Sequence, residues 1–215
     1  QSRHHEGKDP EAAATSNAPG TNAHAVKELV LTALLLAARN IVPALRFVAK
    51  LDANAPDLDE RVEDGKKTFA GVELPGRTLG IIGLGAIGSL VADTAIKLGM
   101  KVIGFDPEIT VDAAWRLPST VRKAHSIEDL LRQAEFVTLH VPLLDVTRNL
   151  IDARRLLLVR HDASLLNFAR AGIVDEASLP FPVGPAPAEV EPGAAPVKDP
   201  MTKQYLKKAV DAIYK

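Results

Sequence analysis

The chain has 215 residues, 47% hydrophobic and 25% charged, a balance that suits one globular domain with appendages and is short for a two-domain enzyme. Its 26 basic and 27 acidic residues nearly cancel, which removes the electrostatic case for nucleic acid or an anionic membrane and leaves small-molecule chemistry. The absence of cysteine excludes disulfides, thiolate metal sites and a cysteine nucleophile, and leaves the redox compartment open.

Residues 1–22 are polar and small and read as an N-terminal extension. Its adjacent His4 and His5 make a poor metal pair, and no metal site is expected. The chain begins at Gln1 rather than methionine, so a processed, truncated or incompletely represented protein is expected, and no secretory signal is read ahead of the apolar run. From Ala23 the pattern turns helical, with Val26, Leu29, Val30, Ala33, Leu34, Ala37, Ala38 and Ile41 on one stripe. Leu31, Leu35 and Leu36 lie off it. A helix over 23–42 that is apolar on more than one face should pack on its own sheet and against a second subunit, with Pro43 kinking or ending it. The longest apolar run, 29–38, falls well short of the ~20 residues of a membrane span.

A charged connector, 57–67, and the turn signal Pro75-Gly76 lead into alternating strands and helices. Strands are predicted at 78–82, 101–105, 136–141 and 163–168, with a short one near 122–124. Helices are predicted at 86–98, at 126–134 with Ser126 as N-cap and Asp129 three residues on, and at 152–159. That order predicts an α/β fold with a doubly wound parallel sheet over residues 23–179. Residues 180–200 hold seven of the fifteen prolines and read as a linker that cannot continue a sheet. Residues 201–215 place Tyr205, Leu206, Val210, Ile213 and Tyr214 on one helical face, as an amphipathic helix would. With 163–168 as the last strand, one sheet edge needs a cover, for which the 201–214 helix or a partner chain is the expected source.

The chemistry concentrates where the first strand ends. Gly83-Leu84-Gly85-Ala86-Ile87-Gly88 joins that strand to a helix, and Asp106 ends the next strand eighteen residues after Gly88. This is a dinucleotide-binding fingerprint in the context it requires. Gly83 permits the tight turn, Gly85 lets the backbone approach a pyrophosphate, and Gly88 lets helix and strand pack closely. The helix N-terminus presents free N–H groups to the phosphates. Asp106 can accept the adenosine ribose hydroxyls, and Pro107 and Glu108 offer no cation for a 2′-phosphate, so NAD is expected over NADP.

Further landmarks extend this reading: Asn17 to Asn22 leading into Ala25-Val26-Lys27-Glu28-Leu29, Val111-Asp112-Ala113-Ala114-Trp115-Arg116-Leu117, Leu139-His140-Val141-Pro142-Leu143, and Asn167 through Glu176. With the fingerprint, the chain over about residues 17–179 resembles the bacterial phosphoglycerate dehydrogenases within the NAD-dependent D-2-hydroxyacid dehydrogenase family. The resemblance implies a Rossmann-type NAD-binding domain of an oxidoreductase that uses NAD on a small 2-hydroxy acid, 3-phosphoglycerate, on the path to serine; a cytoplasmic location is expected, with the homodimer formed through helix 23–42. It further implies that Ala86 and Ile87 give backbone contacts to the pyrophosphate and that Asp106 holds the adenosine ribose. Val141 and Pro142 would line the cofactor cleft, and Phe168, Ala169 and Arg170 would border the nicotinamide, with Arg170 as the catalytic arginine. A planar guanidinium meets a carboxylate and a carbonyl that gains negative charge.

Three departures accompany the resemblance. The family's N-terminal lid domain and the motif carrying its acid histidine have no counterpart in these 215 residues, and Ala171 stands where glycine usually follows the arginine. His140 is rejected as proton donor, and His125 and His161 read as solvated. Lost general acid help typically costs about 10²- to 10⁴-fold in rate. The alternatives therefore stay open between an oxidoreductase and a non-catalytic NAD(H)-binding module. A methyltransferase using the same glycine turn is the weakest, since it gives the motifs around His140 and Arg170 no purpose.

Overall fold

A computed structural model describes residues 22–179. The expected linker 180–200, the helix 201–215 and all but the last residue of the extension 1–22 lie outside the described residues. Five parallel strands run β1 (Thr78–Ile82), β2 (Lys101–Phe105), β3 (Arg122–Lys123), β4 (Phe136–Leu139) and β5 (Ser164–Asn167). Their order in the sheet is β3-β2-β1-β4-β5, the doubly wound arrangement expected from the alternation. The order reverses between β1 and β4, and in such sheets ligands bind at the carboxyl ends of the strands flanking that point.

Alternate residues feed two apolar layers, as a pleated strand requires. Leu79, Ile81, Val102, Phe136 and Leu166 face one cluster, built with helices α1 (Ala23–Arg39) and, beyond α2 (Ile41–Val48) and α3 (Leu58–Thr68), α4 (Ala86–Lys97). Ile82, Ile103, Val137 and Leu139 face the other, under α6 (Ile127–Gln133), which follows α5 (Val111–Arg116). Gly80 lets α6 sit close: a β-carbon there would lie 2.5 Å from Leu130 Cδ2. The helix start is capped twice: Ser126 Oγ accepts from Asp129 N–H at 3.1 Å, and Asp129 Oδ2 accepts from the N–H of the preceding residue, His125, at 3.1 Å.

The N-terminal helix departs from expectation at its end. It stops at Asn40, whose φ of 50° is left-handed, and α2 leaves at a bend of 66°. Pro43 ends nothing; it sits in the first turn of α2, where a missing N–H costs no hydrogen bond. Val26, Val30, Ala33, Leu34 and Ala38 of the predicted stripe are buried, whereas Leu35 and Ile41 remain exposed. No single helix among the described residues is long and apolar enough to cross a membrane.

Three further differences have local causes. The charged connector 57–67 is helical as α3, which begins with Asp59 and Glu60, ends with Lys66 and Lys67, and carries the pairs Glu63–Lys66 and Asp64–Lys67. Such polarity suits the helix dipole, with Leu58 and Val62 as a half-buried apolar pair on one face. Helix α5 is nucleated by Thr110, whose hydroxyl accepts from Ala113 N–H at 3.2 Å, and leaves Val111 and Trp115 exposed. The helix expected over 152–159 shortens to α7 (Ala153–Leu156), one turn capped by Asp152.

At the amino ends of the strands, Glu135 joins β1 to β4. Its Oε1 accepts from Arg77 Nη1 at 2.5 Å and its Oε2 from Thr78 N–H at 3.0 Å. Burial would raise this carboxyl, but the two donors outweigh it and hold it below the ordinary range. Replacing Glu135 with alanine leaves Arg77 and Thr78 N–H without their partner, and urea denaturation should show a loss of about 1–3 kcal/mol. An unchanged midpoint would mean that water replaces the carboxylate at no cost.

Candidate functional site

Every predicted site residue lies at the carboxyl ends of β1, β2, β4 and β5 or in the first turn of α4. The chain turns sharply at Gly83, whose φ is +92°. A β-carbon there would meet His140 O at 2.6 Å and Val141 Cγ1 at 3.0 Å, so this glycine admits the adjoining strand's exit. Gly88 is equally constrained, because its β-carbon would fall 2.0 Å from Gly83 O and 3.4 Å from Ile81 Cγ2.

Gly85 differs from both. It is the N-cap of α4 with φ −68°, a value open to any residue, and no side-chain cap covers the first turn. Nothing lies within 4 Å of where its β-carbon would be. Neither conformation nor internal packing calls for glycine here, so the open face above it suits an outside group that must touch backbone. Ala86 is exposed beside it and Ile87 is half-buried. The cradle therefore fits a pyrophosphate at a helix N-terminus.

Asp106 is bound into this loop. Its Oδ2 accepts from Leu84 N–H at 2.8 Å and its Oδ1 from Glu108 N–H at 3.0 Å. Each oxygen keeps a further lone pair for an incoming hydroxyl. Gly104 makes room for Leu84, whose Cδ1 lies 2.8 Å from the position of a β-carbon on that residue. The spacing in sequence singled out Asp106 but carried no sign that its carboxylate also anchors the glycine loop.

Strand β4 ends earlier than predicted. Its ladder closes with Leu139, and the following His140 N–H still donates to Ile82 O at 2.8 Å. Val141 is half-buried against Gly83, and Pro142, exposed, has no N–H with which to continue pairing. The loop beyond is tied by Thr147, which sequence reasoning missed: its Oγ1 accepts from Leu144 N–H at 2.8 Å and donates to Pro142 O at 2.6 Å.

The His140 ring is enclosed. Nε2 lies 3.0 Å from Thr138 Oγ1, Nδ1 is buried without a partner, and burial lowers its pKa to about 4. A ring neutral near pH 7 and directed into the protein is poorly placed to hand a proton to a group in the cleft. His125 and His161 are exposed.

Next to it, β5 pairs with β4, placing Asn167 opposite Leu139. Strand β5 also stops short of the predicted 168, because the Asn167 side chain redirects the chain. Its Oδ1 accepts from Ala169 N–H at 3.0 Å, and its Nδ2 donates to Arg170 O at 3.2 Å. Phe168 and Ala169 are half-buried; Arg170 is exposed and its guanidinium donates to Ala169 O at 3.2 Å. The chain then turns through Gly172, φ +87°, and returns beside β4's exit loop, with Asn149 N–H donating to Gly172 O at 2.7 Å and Ile151 bridging Val174. The structure thus groups the glycine loop with Asp106, His140 and Val141, and sets the Arg170 turn on the neighbouring strand.

Comparison with known proteins agrees with this geometry. The D-isomer specific 2-hydroxyacid dehydrogenase NAD-binding domain matches residues 31–180. The chain is 40% identical to a D-3-phosphoglycerate dehydrogenase of Methanocaldococcus jannaschii over 163 residues, 76% of this chain and 29% of that protein. It is 36% identical to a glyoxylate reductase of Aeropyrum pernix over 166 residues, 76% of this chain and 47% of that one. Among solved structures, D-lactate dehydrogenase with NAD+ from Lactobacillus jensenii superposes with a TM-score of 0.60 at 28% identity, covering 75% of this chain and 44% of that chain. The chain therefore spans between about a third and half of the length of these relatives.

Proposed function

The chain belongs to the D-isomer specific 2-hydroxyacid dehydrogenases, of which it carries the NAD-binding domain, and from that premise we propose that it serves NAD-dependent oxidation of 3-phosphoglycerate to 3-phosphohydroxypyruvate. The observation that carries the binding half of this reading is the uncovered helix N-terminus behind an unconstrained Gly85. The similarity to a phosphoglycerate dehydrogenase supports the substrate, although a glyoxylate reductase is also similar.

In this proposal Gly83, Gly85, Ala86, Ile87 and Gly88 hold the pyrophosphate and Asp106 the adenosine ribose. Val141, Pro142, Phe168 and Ala169 line the nicotinamide end. Bound there, NAD supplies the acceptor for the hydride that leaves C2. Arg170 is the catalytic residue: its exposed guanidinium orients the substrate carboxylate and stabilises the C2 oxygen as the hydroxyl becomes a carbonyl. The hydroxyl proton goes to a base outside the described residues, since His140, which follows β4, has its ring directed inward.

That enclosed histidine favours the second reading, an NAD(H)-binding module without turnover. In either case a homodimer through residues 23–42, the whole of α1 and the start of α2, is proposed, supported by the exposed Leu35 and Ile41.

Calorimetric titration with NADH followed by a turnover assay tests both readings. Asp106→Ala should weaken NADH by about tenfold to a hundredfold, because it removes charge-assisted acceptors and frees the loop at Leu84. Asp106→Asn, which retains an acceptor for Leu84 N–H, should lose less. Turnover supports the dehydrogenase and binding without it the module. If NADH does not bind, the assignment of the glycine loop fails.

A further inference from the structure

We infer that Asn167 is a positioning residue for Arg170, an inference that rests on the proposed role of that arginine. Among the described residues the guanidinium has no carboxylate partner, and its only hydrogen bond there is to its neighbour, Ala169 O. Its direction is therefore set by the backbone of the turn from which it extends. That backbone is braced by one carboxamide, which accepts from Ala169 N–H at 3.0 Å and donates to Arg170 O at 3.2 Å. Ile173 N–H reaches the same carbonyl at 3.3 Å. Because Asn167 is the last residue of β5 and lies in register with Leu139 of β4, the brace ties the turn to the rigid sheet.

The chemistry of the brace is selective. An acceptor and a donor are needed on one short planar group. Aspartate is isosteric but, when ionised, sets a negative oxygen against the Arg170 carbonyl. Alanine supplies neither contact. A turn without the brace must be ordered when the substrate arrives, and small misplacements of an orienting group weaken its grip on the reacting geometry.

The test uses the full chain and oxamate, a stable anion with a carboxylate beside a carbonyl, titrated into the NADH-saturated protein, with Arg170→Ala as reference. Asn167→Ala should bind NADH within about threefold of the native chain and oxamate about tenfold to a hundredfold more weakly, approaching Arg170→Ala. Asn167→Asp should show the same loss near pH 7 and recover affinity as acidification returns an O–H donor, a response that loss of folding would not produce. It also carries the readout if the alanine variant does not fold. Native oxamate affinity in Asn167→Ala, alongside a loss in Arg170→Ala, overturns the inference alone. No effect of Arg170→Ala, or no oxamate binding by the native complex, overturns the role of Arg170 and the inference with it.

Discussion

Gly85→Val should leave the melting curve of this chain close to the native one and lower NADH affinity by at least a hundredfold. Its backbone φ of −68° is open to branched residues, and its added atoms meet nothing within 4 Å at the β-carbon. The expected change in stability is within about 1 kcal/mol, the difference between a poorer N-cap and a less flexible unfolded chain. The expected change in binding is about 3 kcal/mol, because the isopropyl group would occupy the face offered to the pyrophosphate. Gly88→Val should instead lose both properties, since its β-carbon would sit 2.0 Å from Gly83 O. Thermal melting and calorimetry on the two variants separate a glycine kept for a ligand from one kept for the fold. Native NADH affinity in Gly85→Val would mean that the dinucleotide does not cross this residue.

Acidification from pH 7 to pH 5 should cost the native chain about 2 kcal/mol of stability through His140. Burial lowers this imidazole from 6.5 to about 4 in the folded protein, so between those values the unfolded chain binds more protons than the folded one. The contribution is therefore complete above about pH 6.5 and is lost as pH falls toward 4. Glu128 and Glu135, held below the ordinary carboxylate range by their arginine partners, contribute stability that is present above that range and lost only at lower pH. The interval from 7 to 5 thus isolates the histidine. Urea midpoints for the native chain and His140→Asn should diverge at pH 7 and converge toward pH 5, the variant showing the flatter profile. Parallel profiles would mean that water reaches the ring.

Much of the fold was legible because its determinants are local. The runs at 78–82 and 101–105 became strands with those bounds, and Ser126 with Asp129 announced a helix start at which both side chains accept backbone N–H groups. Helices α3 and α5 were not legible, since one is dominated by charge, with Leu58 and Val62 as its apolar pair, and the other leaves its apolar pair Val111 and Trp115 in solvent. The end of β4 moved because a proline two residues beyond His140 has no N–H for the ladder.

At the site, residue type and spacing by themselves marked the glycine turn and the acid after the second strand, whereas the arginine after the last strand was marked by the family resemblance. The first two are short-range requirements of a strand–turn–helix unit, and they appear wherever that unit is encoded. Only the tertiary structure decided which glycine is free, that Asp106 is already engaged by Leu84 N–H, that the His140 ring is enclosed beside Thr138, and that Asn167 braces the turn of Arg170. The first three depend on contacts between segments distant in the chain or on burial by them, and the fourth on where a strand stops. Such facts come from packing in three dimensions, which no local pattern of residues records.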